Sequence, residues 1–400
     1  MTGDPSAGPS TGPSTGPSTG PATAGTPGAE PVRDEIPGAG PVRGEDAFDI
    51  AALDAWLRNH VPDLALGLPA VMQFGGGASN LTFVLRYPDR DLVLRRPPAG
   101  QKAASAHDMH REFEIQRMLA PAYPAVPRVI AHCADDTVLG SQFYVMSHVP
   151  GLILRGDLPD GITLGPAAAR ALALGMYDAL ADLHSVDVTA TGLDAFFRGP
   201  GYVRRQVEGW SGRYRAARTD DVPDAEEVMV WLAAHQPEDL GARLIHGDWR
   251  FDNLVLDPED LSSVRAVLDW EMATVGDPLM DLGASLAYWV QGDDDPVFQA
   301  FRRQPSHLPG MPTRDEVVAH YLDRTGLALP AAGWTFYEVF GLFRLAVIAQ
   351  QIWYRYRAGQ TRNPAFAQFG AAVTYLVTRA QRLIAQSGSG SGSGSESGSG

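Results

Sequence analysis

The 400-residue chain contains one cysteine, Cys133, and one lysine, Lys102. A single thiol excludes an internal disulfide framework and fits a reducing compartment, so a cytoplasmic protein is expected. Arginine supplies nearly all positive charge, and with a formal net charge of -15 the chain lacks the basic face that a nucleic-acid backbone requires. Long apolar runs are missing as well. The longest, residues 334–356, is interrupted by Glu338, Arg344, Gln350 and Gln351, the pattern of a buried or amphipathic helix rather than a membrane span. The opening Met1-Thr-Gly-Asp-Pro5 has neither the basic nor the apolar region of a secretory signal. Neither nucleic acid nor membrane is therefore expected as a partner, and the oligomeric state is left open.

Large apolar side chains are scarce at both ends. Residues 1–44 repeat Gly, Pro, Ser and Thr, too little apolar surface to offset chain entropy, so a disordered leader is expected. Residues 387–400 read as a flexible Ser/Gly tail. Between them, Ile50, Leu53, Trp56 and Leu57 have helical spacing. A glycine-rich turn, Gly75-Gly-Gly-Ala-Ser79-Asn80, leads into a strand ending at Leu85, and a second strand runs from Asp91 to Arg95. A helix over Ala106–Leu119 and strands over Arg128–Ala131 and Gln142–Met146 follow, then the connection Ser147-His-Val-Pro-Gly151. Beyond it the periodicity is helical over 166–185, 203–218, 225–235, 282–290, 313–324, 334–357 and 363–386. This order predicts an α+β, two-lobed architecture. A small β-rich N-lobe spans 45–147 and a larger helical C-lobe spans 148–386.

Within the helical region stands His246-Gly-Asp248-Trp-Arg250-Phe-Asp252-Asn253, followed by Asp269-Trp270-Glu271. Short strands are expected at 243–246, 253–256 and 264–268, and two turn-joined strands with polar residues at their mouths set two loops side by side. In phosphoryl-transfer sites of the kinase type, one Asp orients the acceptor hydroxyl and takes its proton. An Asn five residues on and a later Asp hold the magnesium ions. Asp248, Asn253 and Asp269 occupy those places. Strand alternation sets Val93 and Arg95 on one face, and Arg95 stands where a kinase strand carries its phosphate-anchoring lysine. Asp277 reads as a turn residue and Asp281 as a cap or brace of the next helix.

The segment H-G-D-x-x-x-x-N followed by D-W-E resembles the aminoglycoside phosphotransferase-like family, which shares the protein-kinase-like fold. The resemblance runs from about Phe74 to Gly283. Val138-Leu-Gly140 and Phe143-Tyr-Val-Met146 place it nearest the phosphotransferase domains associated with acyl-CoA dehydrogenases. It implies an enzyme that moves the γ-phosphoryl group of ATP, or another nucleoside triphosphate, with Mg2+ to a hydroxyl of a small molecule. The acceptor would be a hydroxyacyl compound, with an aminoglycoside or a choline-like alcohol as alternatives. Asp248 is the implied catalytic residue and Asn253 and Asp269 the implied metal ligands. Gly77, Ser79, Asn80, Arg95, Glu112 and Met146 form the implied nucleotide-binding set, Glu112 orienting Arg95 with Glu114 as the fallback. His184 is implied to support the catalytic loop. Arginine in place of lysine at position 95 keeps a second reading open, a catalytically inactive pseudokinase or interaction module. For the acceptor, Tyr202, Arg204, Arg205, Trp210, Arg213 and Tyr214 are the candidate lining.

Overall fold

A computed structural model of the protein describes residues 36–390 apart from 62–63, 65–66, 76–79 and 99–107, with backbone alone at 389–390. The strands β1 (Ala39–Gly40), β2 (Ala70–Phe74), β3 (Leu81–Arg86), β4 (Asp91–Arg96), β5 (Val129–Cys133) and β6 (Phe143–Ser147) make one antiparallel sheet ordered β1-β2-β3-β4-β6-β5. Both faces of this sheet are covered. Phe83, Leu85, Leu92, Leu94, Phe143 and Val145 pack with Leu53 and Leu57 of helix α1 (Ile50–His60). On the opposite face Val93, Tyr144 and Met146 pack with Met109 of α2 (Met109–Leu119). The period of two sends alternate residues of β4 into different cores, and Arg95 follows Val93 toward α2. Each helix starts on a carboxylate: Asp49 accepts the N–H of Ala51 and Ala52, and Asp108 that of Arg111.

Residues 148–151 lead from β6 into the second lobe. There Leu152 exchanges both backbone hydrogen bonds with Leu256, at 2.9 and 2.8 Å. The approach needs Gly151, because a Cβ there would stand 2.5 Å from the Leu256 carbonyl.

The helical lobe comprises α3 (Pro166–His184), α4 (Val188–Thr191), α5 (Tyr202–Ala217), α6 (Glu226–Ala234), α7 (Pro278–Leu286), α8 (Pro296–Ala300), α9 (Arg314–Thr325), α10 (Thr335–Arg357) and α11 (Phe369–Gly390). Helix α10 packs on α5, α7 and α11. Its Phe336, Phe340, Phe343 and Val347 are buried, which accounts for the long apolar segment of the sequence. No described helix is long and apolar enough to cross a membrane.

Several expectations change. The helix expected from 282 begins at Pro278, because Asp277 accepts the N–H of Leu279 and Met280 and proline is favoured just inside the start. Of the short strands, β8 (Leu254–Leu256) pairs with β9 (Val264–Val267), but β7 (Arg243–Ile245) pairs with β10 (Thr274–Gly276). Three residues are too few for β10 to show a period. The leader is ordered at its end: β1 pairs with β2, and the Arg43 N–H reaches the Gln73 side chain at 2.9 Å. The disorder expected for residues 1–35 lies outside the described residues. At the other end α11 runs on into the Ser/Gly stretch as far as Gly390, since extending an existing helix costs far less than starting one.

Candidate active site

Strand β7 delivers His246, Gly247 and Asp248 into a loop held from below. The Asp281 carboxylate accepts the backbone N–H of His246 and of Gly247, both at 2.8 Å, and faces His184 Nε2 at 3.2 Å. His184 Nδ1 in turn meets the Tyr321 hydroxyl at 2.5 Å. Asp281 thus braces the catalytic loop, while Asp277 caps the helix that carries it. Burial pushes the Asp281 carboxyl up, but the hydrogen bond and charge of His184, with the backbone N–H of His246, outweigh it and hold it below the usual range. His246 is itself fully buried. Its Nε2 donates to the Leu268 carbonyl at 2.9 Å and its Nδ1 accepts the Asp248 N–H at 3.2 Å. With both ring nitrogens committed, His246 positions the loop and has no proton to exchange with a ligand.

Gly247 has φ +83°, and a Cβ there would lie 2.9 Å from Met272 Cβ. Only glycine turns the chain so tightly at this point. Asp248 then projects with Oδ2 engaged by Asn253 Nδ2 at 3.0 Å and by Arg250 Nε at 3.2 Å. Asn253 Nδ2 also donates to the Asp248 carbonyl at 2.8 Å. Arg250 reaches Asp252 at 3.1 Å and lies over the Tyr288 ring. Among the described residues these bonds leave Asp248 Oδ1 as the free carboxylate oxygen and Asn253 Oδ1 as the free end of the amide.

The second loop is tied to the first by the Leu268 N–H, which donates to the Asn253 carbonyl at 2.8 Å. Asp269 follows in the left-handed region, φ 65° and ψ 63°, a conformation costly for a residue with a Cβ and common at functional sites. Trp270, buried, donates to the Val267 carbonyl at 2.8 Å and sets its ring edgewise against His246.

Across the cleft Arg95 Nη2 contacts Asp269 Oδ1 at 2.8 Å and Glu112 Oε1 at 3.2 Å. Glu112 also accepts the Tyr144 hydroxyl at 2.9 Å. Glu114 faces outward and pairs with Arg117, so Glu112 is the partner of Arg95. Burial disfavours the charged guanidinium of Arg95, yet Glu112, Tyr144 and Asp269 more than restore it and raise its pKa. Burial likewise pushes the Asp269 carboxyl up, and the charge and hydrogen bond of Arg95 bring it below the usual range. Two atoms of the network, Arg95 Nε and Glu112 Oε2, are buried with no hydrogen-bond partner among the described residues. Helix α2 grips the same loop a second time, as Arg111 donates to the carbonyls of Glu271 and Ala273. Asn80 Nδ2 reaches Glu271 Oε2 at 3.0 Å. Met146 stands opposite Val93 in the register of β4 and β6, on the face that carries Arg95. Gly77 and Ser79 lie outside the described residues.

Beside the catalytic loop is a cavity of about 150 Å3, lined by Tyr202, Trp210 and Arg213 of α5, Gly247, Met272 and Arg344 among others. Of the candidate acceptor residues, Tyr214 is instead buried in the core, its hydroxyl on the Pro223 carbonyl. Arg205 folds back on the carbonyls of Gly199 and Pro200, and Arg204 is exposed. Arg344, a hundred residues from the motif, had no local signal.

Residues 70–317 match the model of the phosphotransferase enzyme family. The chain is 38% identical over 336 residues to acyl-CoA dehydrogenase family member 10 of Mus musculus, covering 84% of this chain and 31% of that protein. It therefore spans about a third of that relative's length. Among solved structures, a Ralstonia eutropha protein assigned as an aminoglycoside phosphotransferase is 32% identical, with a TM-score of 0.72 over 85% of this chain and 99% of that one. The choline kinase of Cryptosporidium parvum shares the fold, with a TM-score of 0.56 at 12% identity over 85% of this chain and 97% of its own. An α+β, two-lobed kinase-like fold, a paired acidic loop and these matches agree: the chain belongs to the phosphotransferase enzyme family and is an enzyme that transfers phosphate to an alcohol.

Proposed function

We propose that the protein uses ATP and Mg2+ to phosphorylate a hydroxyl of a small molecule, a hydroxyacyl compound. The observation that carries this is the Asp248–Asn253 pair. The amide nitrogen of Asn253 is committed to Asp248, so its carbonyl oxygen remains for a cation that takes only oxygen ligands. Asp269, held anionic by Arg95, supplies the second oxygen donor. One or two protein oxygens are what Mg2+ takes when phosphates provide the rest. The unpartnered Arg95 Nε is a buried donor suited to a phosphate oxygen, so the residues fit a metal-bound nucleotide.

Asp248 Oδ1 accepts the acceptor hydroxyl and takes its proton late in transfer. Asn253 and Arg250 hold the other oxygen and fix the carboxylate's direction. Bound Mg2+ would neutralise charge on the transferring phosphoryl group. Glu112 keeps Arg95 aligned, and Val93 and Met146 offer the apolar face on which a base would rest. Asn80, which reaches Glu271 Oε2, would lie at the phosphate end of the nucleotide.

The test is Asp248→Asn, assayed by ATP-dependent phosphorylation of a panel of small alcohols. Transfer should fall by about 10^2 to 10^4-fold while Mg-ATP binding, followed by calorimetry, persists. Transfer at the parent rate in the variant would sink the assignment.

A further inference from the structure

The cavity beside the catalytic loop carries more cation than the fold can use. Arg344 is buried, 7% exposed, and donates one hydrogen bond to the Gly247 carbonyl. Its guanidinium lies 5.1 Å from the centroid of the Trp210 ring, and Arg213 lies 4.5 Å from the same centroid. Neither arginine pairs with any described carboxylate. The acid in the lining is Asp281, and it is committed to His184 and to the amides of His246 and Gly247. Two guanidiniums line this one cavity, and a buried charge such as that of Arg344 is costly without a counterion. The cation–π contact returns only part of that cost.

Position gives this excess a use. Gly247, immediately before Asp248, lines the cavity together with Ile245 and Met272. Ile245, Met272, Met280 and Phe340 supply apolar wall, and Gln206, Tyr202 and Thr274 a little polarity. About 150 Å3 is the room of roughly five waters, enough for a short carbon chain. Planar guanidinium forks match the geometry of a carboxylate.

We infer that Arg213 and Arg344 form the specificity site for the acceptor, and that the acceptor is a short hydroxylated carboxylate rather than a cationic alcohol. This rests on the phosphotransfer reading of the neighbouring loop. The carboxylate sits on the arginines, the chain lies along the apolar wall, and the hydroxyl points to Asp248. Cationic acceptors such as aminoglycosides and choline meet like charge here and are rejected.

The full chain is assayed for Mg-ATP consumption with short hydroxy acids, their primary amides of equal shape, choline and an aminoglycoside. Each acid should show a KM about 10 to 100-fold below that of its amide, the span of a charge-assisted hydrogen bond. Arg213→Gln, at an exposed position that leaves the core intact, should erase most of that gap by raising acceptor KM while KM for ATP holds. Arg344→Lys keeps the charge but loses the fork, and should raise acceptor KM less. Amides or cationic alcohols used as well as acids, or an Arg213→Gln variant indistinguishable from the parent, overturn this inference and leave phosphotransfer standing. Absence of turnover with every acceptor counts against the phosphotransfer reading instead. The anion site is then read by calorimetric titration of the acids alone, and equal or absent binding in parent and Arg213→Gln overturns it.

Discussion

Asp281 is bonded to the loop of Asp248 and Asp269 follows Leu268, which is tied to the same loop, and the two carboxylates are held in opposite ways. Asp281 is buried, sits in a regular helix, and has its oxygens filled by two amides and His184. Asp269 is partly exposed, sits in left-handed backbone, and has one described ion pair, to Arg95. Arg95 brings with it an unpartnered Nε, and Glu112 an unpartnered oxygen. A satisfied network makes a fold rigid, whereas strain and spare hydrogen-bonding capacity mark the place where a ligand completes the structure. The charge on a buried acid is therefore a poor guide to its task; the list of its partners is a better one.

The sharpest way to break this contrast is to remove each carboxylate in turn. Asp269→Ala should cost about 10^3-fold or more in phosphate transfer, several kcal/mol of transition-state charge stabilisation, with little change in the denaturant midpoint. Asp281→Ala should do the reverse at first sight: a loss of about 3 to 5 kcal/mol in unfolding free energy, from leaving buried partners unmatched. A denaturant titration that ranks the two variants equally would erase the distinction.

Acid sharpens it further. The folded-state pKa of Asp281 is depressed below 3.8, so its stabilisation is complete above the ordinary carboxylate range and is lost as pH falls through the lowered value. The stability gap between the parent and Asp281→Asn should therefore be full at neutral pH and shrink below about pH 4. A gap that stays constant down to that range would show that Asp281 is not held as an anion.

The smallest expected effect concerns the cation that joins the two lobes. Arg95→Lys keeps the charge but offers a single ammonium where one guanidinium now spans Glu112 and Asp269. Nucleotide affinity should fall by about tenfold, the worth of one charge-assisted hydrogen bond, with folding nearly unchanged. An unaltered affinity would mean that Arg95 serves only as a strut between the sheet and the metal loop.

Much of the site was legible along the chain because it is built from local pieces. Asp248 and Asn253 share one short loop, and Val93 and Arg95 share one strand face by the period of two. The resemblance implies Glu112 rather than Glu114 as the partner of Arg95, and packing of α2 on the sheet brings Glu112 to it. The leader's last residues joined the sheet, and β10 came to pair with β7, through contacts between segments distant in sequence. Asp281 looked like a helix cap from its position near the start of α7, yet its side chain turns away from that helix to the His246 and Gly247 amides.

By itself the sequence pointed to a two-lobed α+β fold and to Asp248, Asn253 and Asp269 as an acid, an amide and a second acid at kinase-type spacing. Those features depend on near neighbours and on periodicity, which a linear chain displays. Tertiary structure decided that the Asp281 carboxylate holds the His246 and Gly247 amides, and that Arg344 of α10 and Arg213 of α5 line one cavity beside Gly247. Each of these needs two elements folded against each other, so no spacing along the chain encodes them.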